Sequence, residues 1–375
     1  MEFICQKDLL QKAIQHTERI VSARSTLPVL ANLLFEVNGA VLKITSTDME
    51  IGIEKKVKIS TSKPGSVLIN SKTISSIVNK LPDADVKLKV LDNQTIEITC
   101  AQSHFNIHGL PAEEFPQIPK IENGVEFQIN KDNLKDLIKQ TIISVSIDES
   151  KHILNGVLVE IDSDSLIGVA TDGYRLSQKS IKEKHEISEK IRMIIPTKAL
   201  HELLSITAEG KEEKIKVNYS DSMANFTFED FYLSTRLIKG QYPDYKQVIP
   251  KEFKTEIMVS KEEFTDALER CQIIASSSAN IVKIEVLDDK LLINASTPDI
   301  GNVNEMISIS KNNDHKLQIA LNVRLLLEAL KIISADKIKL SLIDSLKPGT
   351  ISPVSDKKDD EFLYVVMPIR TAENK

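Results

Sequence analysis

The run Phe127-Gln-Ile-Asn-Lys-Asp-Asn-Leu-Lys-Asp-Leu-Ile-Lys-Gln-Thr-Ile-Ile-Ser-Val-Ser146 decides how the chain is organised. Phe127, Ile129 and Lys131 lead into Leu134, Leu137, Ile138, Thr141 and Val145, a spacing that puts one apolar stripe on a helix. The same frame occurs twice more. Phe3, Cys5 and Lys7 lead into Leu10, Ala13, Ile14, Thr17 and Val21, and Ile257, Val259 and Lys261 lead into Phe264, Ala267, Leu268, Cys271 and Ala275. Phe127 stands 124 residues after Phe3 and 130 before Ile257, a period too long for a solenoid and right for one compact domain.

A second helix repeats in phase. Asn70, Lys72, Ile74, Ile77, Val78 and Leu81 correspond to Pro196, Lys198, Leu200, Leu203 and Leu204, and these to Asn322, Arg324, Leu326, Ala329, Leu330 and Ile333, each step being 126 residues. Between and after the helices, alternating apolar runs separated by Asp, Asn and Gly turns predict strands: Leu33–Val37, Val41–Thr45 and Ile51–Ile59 in the first copy, Gly156–Ile161, Leu166–Thr171 and Arg175–Ile181 in the second, Val282–Val286, Leu291–Ala295 and Val303–Ile309 in the third. Two helices with mostly antiparallel strands make an α+β unit, carried three times in tandem: residues 1–118, 125–246 and 250–375. The connectors Leu110–Gly124 and Gly240–Phe253 hold Pro111, Pro116, Pro119, Pro243 and Pro250, so they read as extended straps. An arc of like units closes into a ring when two chains meet head to tail.

Composition sets limits on function. At 375 residues, with 41% apolar and 27% charged side chains, each third can bury its own core. No apolar run approaches the roughly 20 residues of a membrane span, and the first residues carry charges where a signal peptide has its apolar segment. Cys5, Cys100 and Cys271 are far apart and odd in number, which reads as reduced core thiols in a cytoplasmic protein. The net charge of −6 argues against nucleic acid unless the cations are collected on one surface.

That collection is visible. Lys72, Lys198 and Arg324 occupy one repeat position at the start of the second helix, where a single exposed cation means little but three define a surface, with Lys12, Lys135, Lys139 and Arg270 able to add to it. Such a surface suits phosphate contacts without base reading. The turn Thr171-Asp172-Gly173-Tyr174-Arg175-Leu176 is first of all a good hairpin, and second a docking surface, because an aromatic and an arginine beside a leucine are typical anchors. Tyr364–Arg370, with Met367 and Pro368, reads as a last strand that can flank a groove. Phosphate loops, nucleophile elbows, dinucleotide fingerprints and paired Cys-x-x-Cys motifs are all missing from the sequence. His104 and His108 near Glu113 and Glu114 lack a well-placed third metal ligand, so no metal and no cofactor is expected.

Five stretches together resemble one family: Leu27-Pro28-Val29-Leu30 with Asn32, Leu154-Asn155-Gly156, Ala170–Leu176, Tyr242-Pro243-Asp244-Tyr245 with Pro250, and Tyr364–Arg370. The chain resembles the bacterial DNA polymerase III beta subunits, the DNA sliding clamps, over essentially its whole length. The resemblance implies a head-to-tail homodimer, a six-domain ring around double-stranded DNA, with no catalytic site of its own. Its implied partners are the replicative polymerase, an ATP-dependent clamp loader and repair proteins that carry a short peptide motif. It implies DNA contacts at Arg24, Lys72, Lys151, Lys198 and Arg324. It implies a peptide groove at Leu154, Thr171, Gly173, Tyr174, Arg175, Leu176, Pro243, Val248, Asn322, Val365, Met367, Pro368 and Arg370. Ring closure would use Phe105 and Ile107 against Ile273 and Ile274, with charge pairs that include Glu305. The chain departs from relatives at Gln247, where a basic residue can occur, at Leu325, where an aromatic can occur, and in continuing past Arg370. Two other classes compete: a peptide-binding adaptor that does not encircle DNA, and an enzyme built on His104, His108 and Glu113.

Overall fold

The computed structural model describes residues 1–21, 27–208, 210–312, 316–354 and 359–370. The repeated stripe is a helix each time. The first copy runs β1 (Glu2–Gln6), α1 (Lys7–Glu18), β2 (Asn32–Asn38), β3 (Val41–Thr47), β4 (Ile51–Lys58), β5 (Ser60–Lys63), β6 (Gly65–Asn70), α2 (Ser71–Lys80), β7 (Asp85–Val90), β8 (Thr95–Cys100) and β9 (Ser103–His108). The second runs β10 (Val125–Asn130), α3 (Lys131–Thr141), β11 (Gly156–Ile161), β12 (Ser165–Thr171), β13 (Arg175–Lys182), β14 (Ile191–Pro196), α4 (Thr197–Ala208), β15 (Lys214–Ser220), β16 (Met223–Phe228) and β17 (Phe231–Arg236). The third runs β18 (Thr255–Ser260), α5 (Lys261–Ala275), β19 (Ile281–Val286), β20 (Lys290–Thr297), β21 (Gly301–Ser308), β22 (Ser310–Lys311), β23 (Leu317–Asn322), α6 (Val323–Ile332), β24 (Lys337–Leu342), β25 (Gly349–Pro353) and β26 (Asp360–Val366).

Local chemistry sets these bounds. Asn70 accepts a hydrogen bond from the Thr73 amide at 3.1 Å and Asn322 accepts from the Arg324 amide at 3.0 Å, so the second helices of the first and third copies begin on side-chain caps. Thr17 and Thr141, at one repeat position, are buried by donating back to the Ala13 and Leu137 carbonyls at 2.9 and 2.7 Å. Cys271, their counterpart, is buried and turns its thiol toward the Ile293 carbonyl. All three cysteines are free and buried.

The chain divides into two compact units that cut the middle copy, Met1–Lys131 with Lys198–Leu237, and Asp132–Thr197 with Ile238–Lys375. In the first unit, α1 and α2 press Leu10, Ile14, Ile74 and Val78 into a core with Phe3, Phe35, Ile44, Leu88 and Ile98, each such side chain contributing about 1.5–3 kcal/mol of burial. This unit holds a five-stranded sheet, β5-β1-β7-β8-β9, and an eight-stranded sheet, β10-β15-β16-β17-β4-β3-β2-β6. The second unit holds a nine-stranded sheet, β14-β11-β12-β13-β26-β25-β24-β18-β22, and a four-stranded one, β21-β20-β19-β23. Its third-copy core gathers Phe264, Leu268, Leu326 and Leu330 with Ile284, Ile293 and Leu340. Within it α3 lies so close to β12 that a Cβ on Gly168 would stand 2.6 Å from the Leu137 side chain.

Sheets therefore run through the copy boundaries. β4 of the first copy pairs antiparallel with β17 of the second, Ile53 opposite Leu233, and β13 of the second pairs with β26 of the third, Ser177 opposite Tyr364. The fourth strand of one copy meets the last strand of the next. β21 and β9, the fourth strand of the last copy and the last strand of the first, each pair on one side only among the described residues.

Candidate docking and DNA-facing sites

The turn between β12 and β13 is built by two side chains. Thr171 donates from Oγ1 to the Arg175 carbonyl at 2.6 Å and accepts from the Gly173 amide at 3.1 Å, while Asp172 Oδ1 accepts from the Tyr174 and Arg175 amides at 2.8 and 3.0 Å. Gly173 takes φ +94°, a conformation side chains rarely adopt. Thr47 and Asp48 build the same turn in the first copy, with Met49 at φ +77°. The first two copies thus share the geometry; what sets the second apart from the first is Tyr174 and Arg175.

Arg175 is an anchored cation, its side chain only 10% exposed. Its Nε donates to Asp172 Oδ2 at 3.2 Å and its terminal nitrogen pairs with Glu328 of α6. Glu328 also accepts from Arg324 Nε at 2.9 Å. Burial pushes the Glu328 carboxyl up, but the hydrogen bonds and charges of the two arginines outweigh it and hold it below the ordinary range. Tyr364, wholly buried, donates from its hydroxyl to the Leu325 carbonyl at 2.9 Å, tying β26 to the first turn of α6.

The same unit holds the residues expected to line a groove. Leu176 and Val365 are buried in one apolar cluster with Leu158, Val169, Tyr242 and Tyr245, against which Leu154 packs. Tyr174, 66% exposed, and Met367 are joined by the Met367 amide donating to the Tyr174 carbonyl at 2.9 Å. Tyr242 receives the Thr171 amide on its hydroxyl at 3.1 Å, which fixes the strap that carries Pro243 and Val248. Asn322 lies at the cap of α6, and Pro368 and Arg370 follow β26. Gln247 is turned onto Asp244 at 2.9 Å. The residues after Arg370 lie outside the described set.

The residues expected to contact DNA fall in both units. Lys72 is exposed at the start of α2. Lys198, at the equivalent place on α4, pairs with Asp48 of the first-copy turn. Arg324 is engaged by Glu328, so it adjoins Arg175. Lys151 lies beside the Thr171–Leu176 turn: its ammonium donates to the Asp172 carbonyl at 3.0 Å and lies 5.4 Å from the Tyr174 ring centroid. Arg24 falls outside the described residues. The loop that carries Lys151 also gives Ser146, Ile147, Glu149, His152 and Asn155, with Val145 and Thr197, to a shallow cleft of about 670 Å³.

At the free edges, Phe105 is partly exposed on β9 with Ile107 less so, and Ile273 is exposed on α5, whereas Ile274 packs against the third-copy core. Glu305 of β21 is held within its own chain by Arg270, at 2.9 and 2.8 Å. Sequence reading missed Glu328, although its place four residues after Arg324 signals an ion pair.

Three copies of one unit, joined by strand pairing across the copy boundaries, with β9 and β21 each free along one edge and an anchored aromatic–arginine turn, define a repeat-built scaffold class. Comparison with known proteins gives the family. Models of the DNA polymerase III beta subunit match its N-terminal domain at residues 1–119, its central domain at 128–244 and its C-terminal domain at 246–370. The Bacillus subtilis beta sliding clamp is 30% identical over 381 residues, 99% of this chain and 100% of that one, and the Staphylococcus aureus clamp is 30% identical over 380 with the same coverage. Solved structures of the B. subtilis sliding clamp and of the Thermotoga maritima beta subunit superpose with TM-scores of 0.92 and 0.91, each at 30% identity, covering 99% of this chain and 99% and 100% of theirs. A Pseudomonas aeruginosa sliding clamp bound to griselimycin gives 0.94 at 27% identity, covering 99% of this chain and 100% of that one. The chain belongs to the bacterial DNA polymerase III beta-subunit family, the beta sliding clamps.

Proposed function

We propose that two copies of this chain close head to tail around duplex DNA and that the closed ring, without chemistry of its own, tethers the replicative polymerase. The strand pairing carries this reading. Phe105 faces Ile98 across β8 and β9 as Leu233 faces Phe226 and Tyr364 faces Ile351, so Phe105, Leu233 and Tyr364 are equivalent. Ile53, Ser177 and Val303 are equivalent in the same way, facing Ser46, Ala170 and Ala295. Since Leu233 meets Ile53 and Tyr364 meets Ser177, Phe105 of one chain would meet the partner's Val303, Ile107 the partner's Gly301 and Ser103 the partner's Glu305. The two free edges thus complete a third junction like the two internal ones, and Ile273 adds an apolar contact beside it. In this reading residues 1–118, 125–246 and 250–375 are the repeating units.

Lys72 and Lys198, with Arg24 by family resemblance, supply sequence-independent phosphate contacts, weak enough individually for the ring to move along DNA. The surface at Thr171–Leu176, Pro243, Val248 and Met367 receives apolar anchors of a polymerase peptide, and in turn those of a clamp loader and repair proteins. Such a ring works in the cytoplasm, at the nucleoid. Reversing charge with Lys72→Glu and Lys198→Glu together tests the DNA side: loading by an ATP-driven loader should fall at least tenfold while peptide binding holds. Unchanged loading would favour an adaptor that does not encircle DNA.

A further inference from the structure

Glu160 is a carboxylate inside β11, every residue of which is buried. Its side chain is 5% exposed and has three donors: Arg192 Nε at 2.9 Å on one oxygen, with Lys190 Nζ at 3.2 Å and the Tyr245 hydroxyl at 3.2 Å on the other. A buried ion set of this kind adds little stability over an apolar residue of similar volume, whereas removing one partner leaves a charge unsatisfied. Its effect is directional, because only one position of Tyr245 completes the set.

Tyr245 opens the single helical turn Tyr245–Gln247 of the strap, and its ring is buried in the apolar cluster with Leu176 and Val365. Burial, and then the neighbouring Glu160 carboxylate, push its phenol well up, so the hydroxyl remains a donor through neutral pH. The Val248 amide donates to the Tyr245 carbonyl at 3.1 Å, and Val248 is among the exposed apolar side chains. At the strap's other end Tyr242 is fixed by Thr171. The short turn is therefore held between two phenols, one on the docking turn and one on Glu160.

We infer that Glu160 is a positioning residue for the docking surface: through the Tyr245 hydroxyl it sets where the strap presents Pro243 and Val248 to an incoming apolar peptide. This rests on the docking reading above. Glu160→Gln keeps the shape but removes the charge, and Tyr245→Phe removes one hydroxyl.

The test combines amide exchange of Gln247 and Val248 with calorimetric titration of griselimycin, the ligand of the Pseudomonas clamp, on the full-length protein. Both variants should exchange those amides about tenfold faster and bind about tenfold more weakly, and the double variant should be no worse than the weaker single, as expected when two groups act as one unit. Wild-type exchange in both variants, or faster exchange with wild-type affinity, would overturn the proposal. Met367→Ala separates the readings. If Met367→Ala binds like wild type while the two variants loosen the strap and weaken binding, the ligand site lies elsewhere and the docking reading fails, although Glu160 still positions the strap.

Discussion

Arg175→Ala tests the docking surface most severely, because the guanidinium is tied to both of its walls. The substitution withdraws a donor from Asp172 Oδ2 and a cation from Glu328, whose side chains are only 19% and 28% exposed. Breaking a fully buried pair from one side costs about 3–5 kcal/mol. Here Glu328 keeps Arg324 at 2.9 Å and Asp172 keeps two backbone donors, so the loss is nearer 2 kcal/mol, on the scale of a desolvated charged hydrogen bond. Peptide affinity should fall more than tenfold, since the turn that presents Tyr174 loses its link to α6. The dimer should survive, because Arg175 lies on the strand already paired with β26 and not on a free edge. Chemical unfolding, calorimetry with griselimycin and sedimentation velocity measure the three quantities. Unchanged affinity together with unchanged stability would refute the reasoning, and dissociation to monomers would refute the placement of the interface.

Other consequences are local. Gly173→Ala should cost about 1–2 kcal/mol from backbone strain alone, because a Cβ there would meet only the Lys151 ammonium, at 3.7 Å; no change in thermal midpoint would contradict the turn geometry. Phe105→Asp should convert the dimer to monomers in sedimentation while leaving griselimycin binding intact, and a persistent dimer would remove the β9 edge from the interface. Glu2 is held at about 2 by hydrogen bonds from Lys87 and Lys63. A lowered carboxyl stabilises the fold above its ordinary value near 4.5 and loses that contribution as pH falls toward 2, so the midpoint difference between wild type and Glu2→Gln should shrink across that window, and a pH-independent difference would contradict the assignment.

The helices and most strands were legible because one apolar stripe, read three times, leaves little freedom: the repeat placed α1, α3 and α5, and turn residues bounded the hairpins. The merging of sheets was not legible. β4 with β17 and β13 with β26 join strands nearly two hundred residues apart, and nothing in an alternating strand states which edge it will meet. The turn was visible as Thr171–Leu176, but Lys151 came only from the family resemblance, and nothing in the sequence states that its side chain reaches the Asp172 carbonyl. Glu160 carried a signal that was available, an acid interrupting the run Gly156–Ile161 opposite Arg192.

Encirclement is the central claim, and retention on a nicked DNA circle tests it most directly. Protein loaded with a clamp loader and ATP is gel-filtered on the circle, which is then linearised. Retention on the closed circle and release on cutting is the predicted result. Loss before cutting, with a loader shown to work on another clamp, or persistence on the linear product would contradict it.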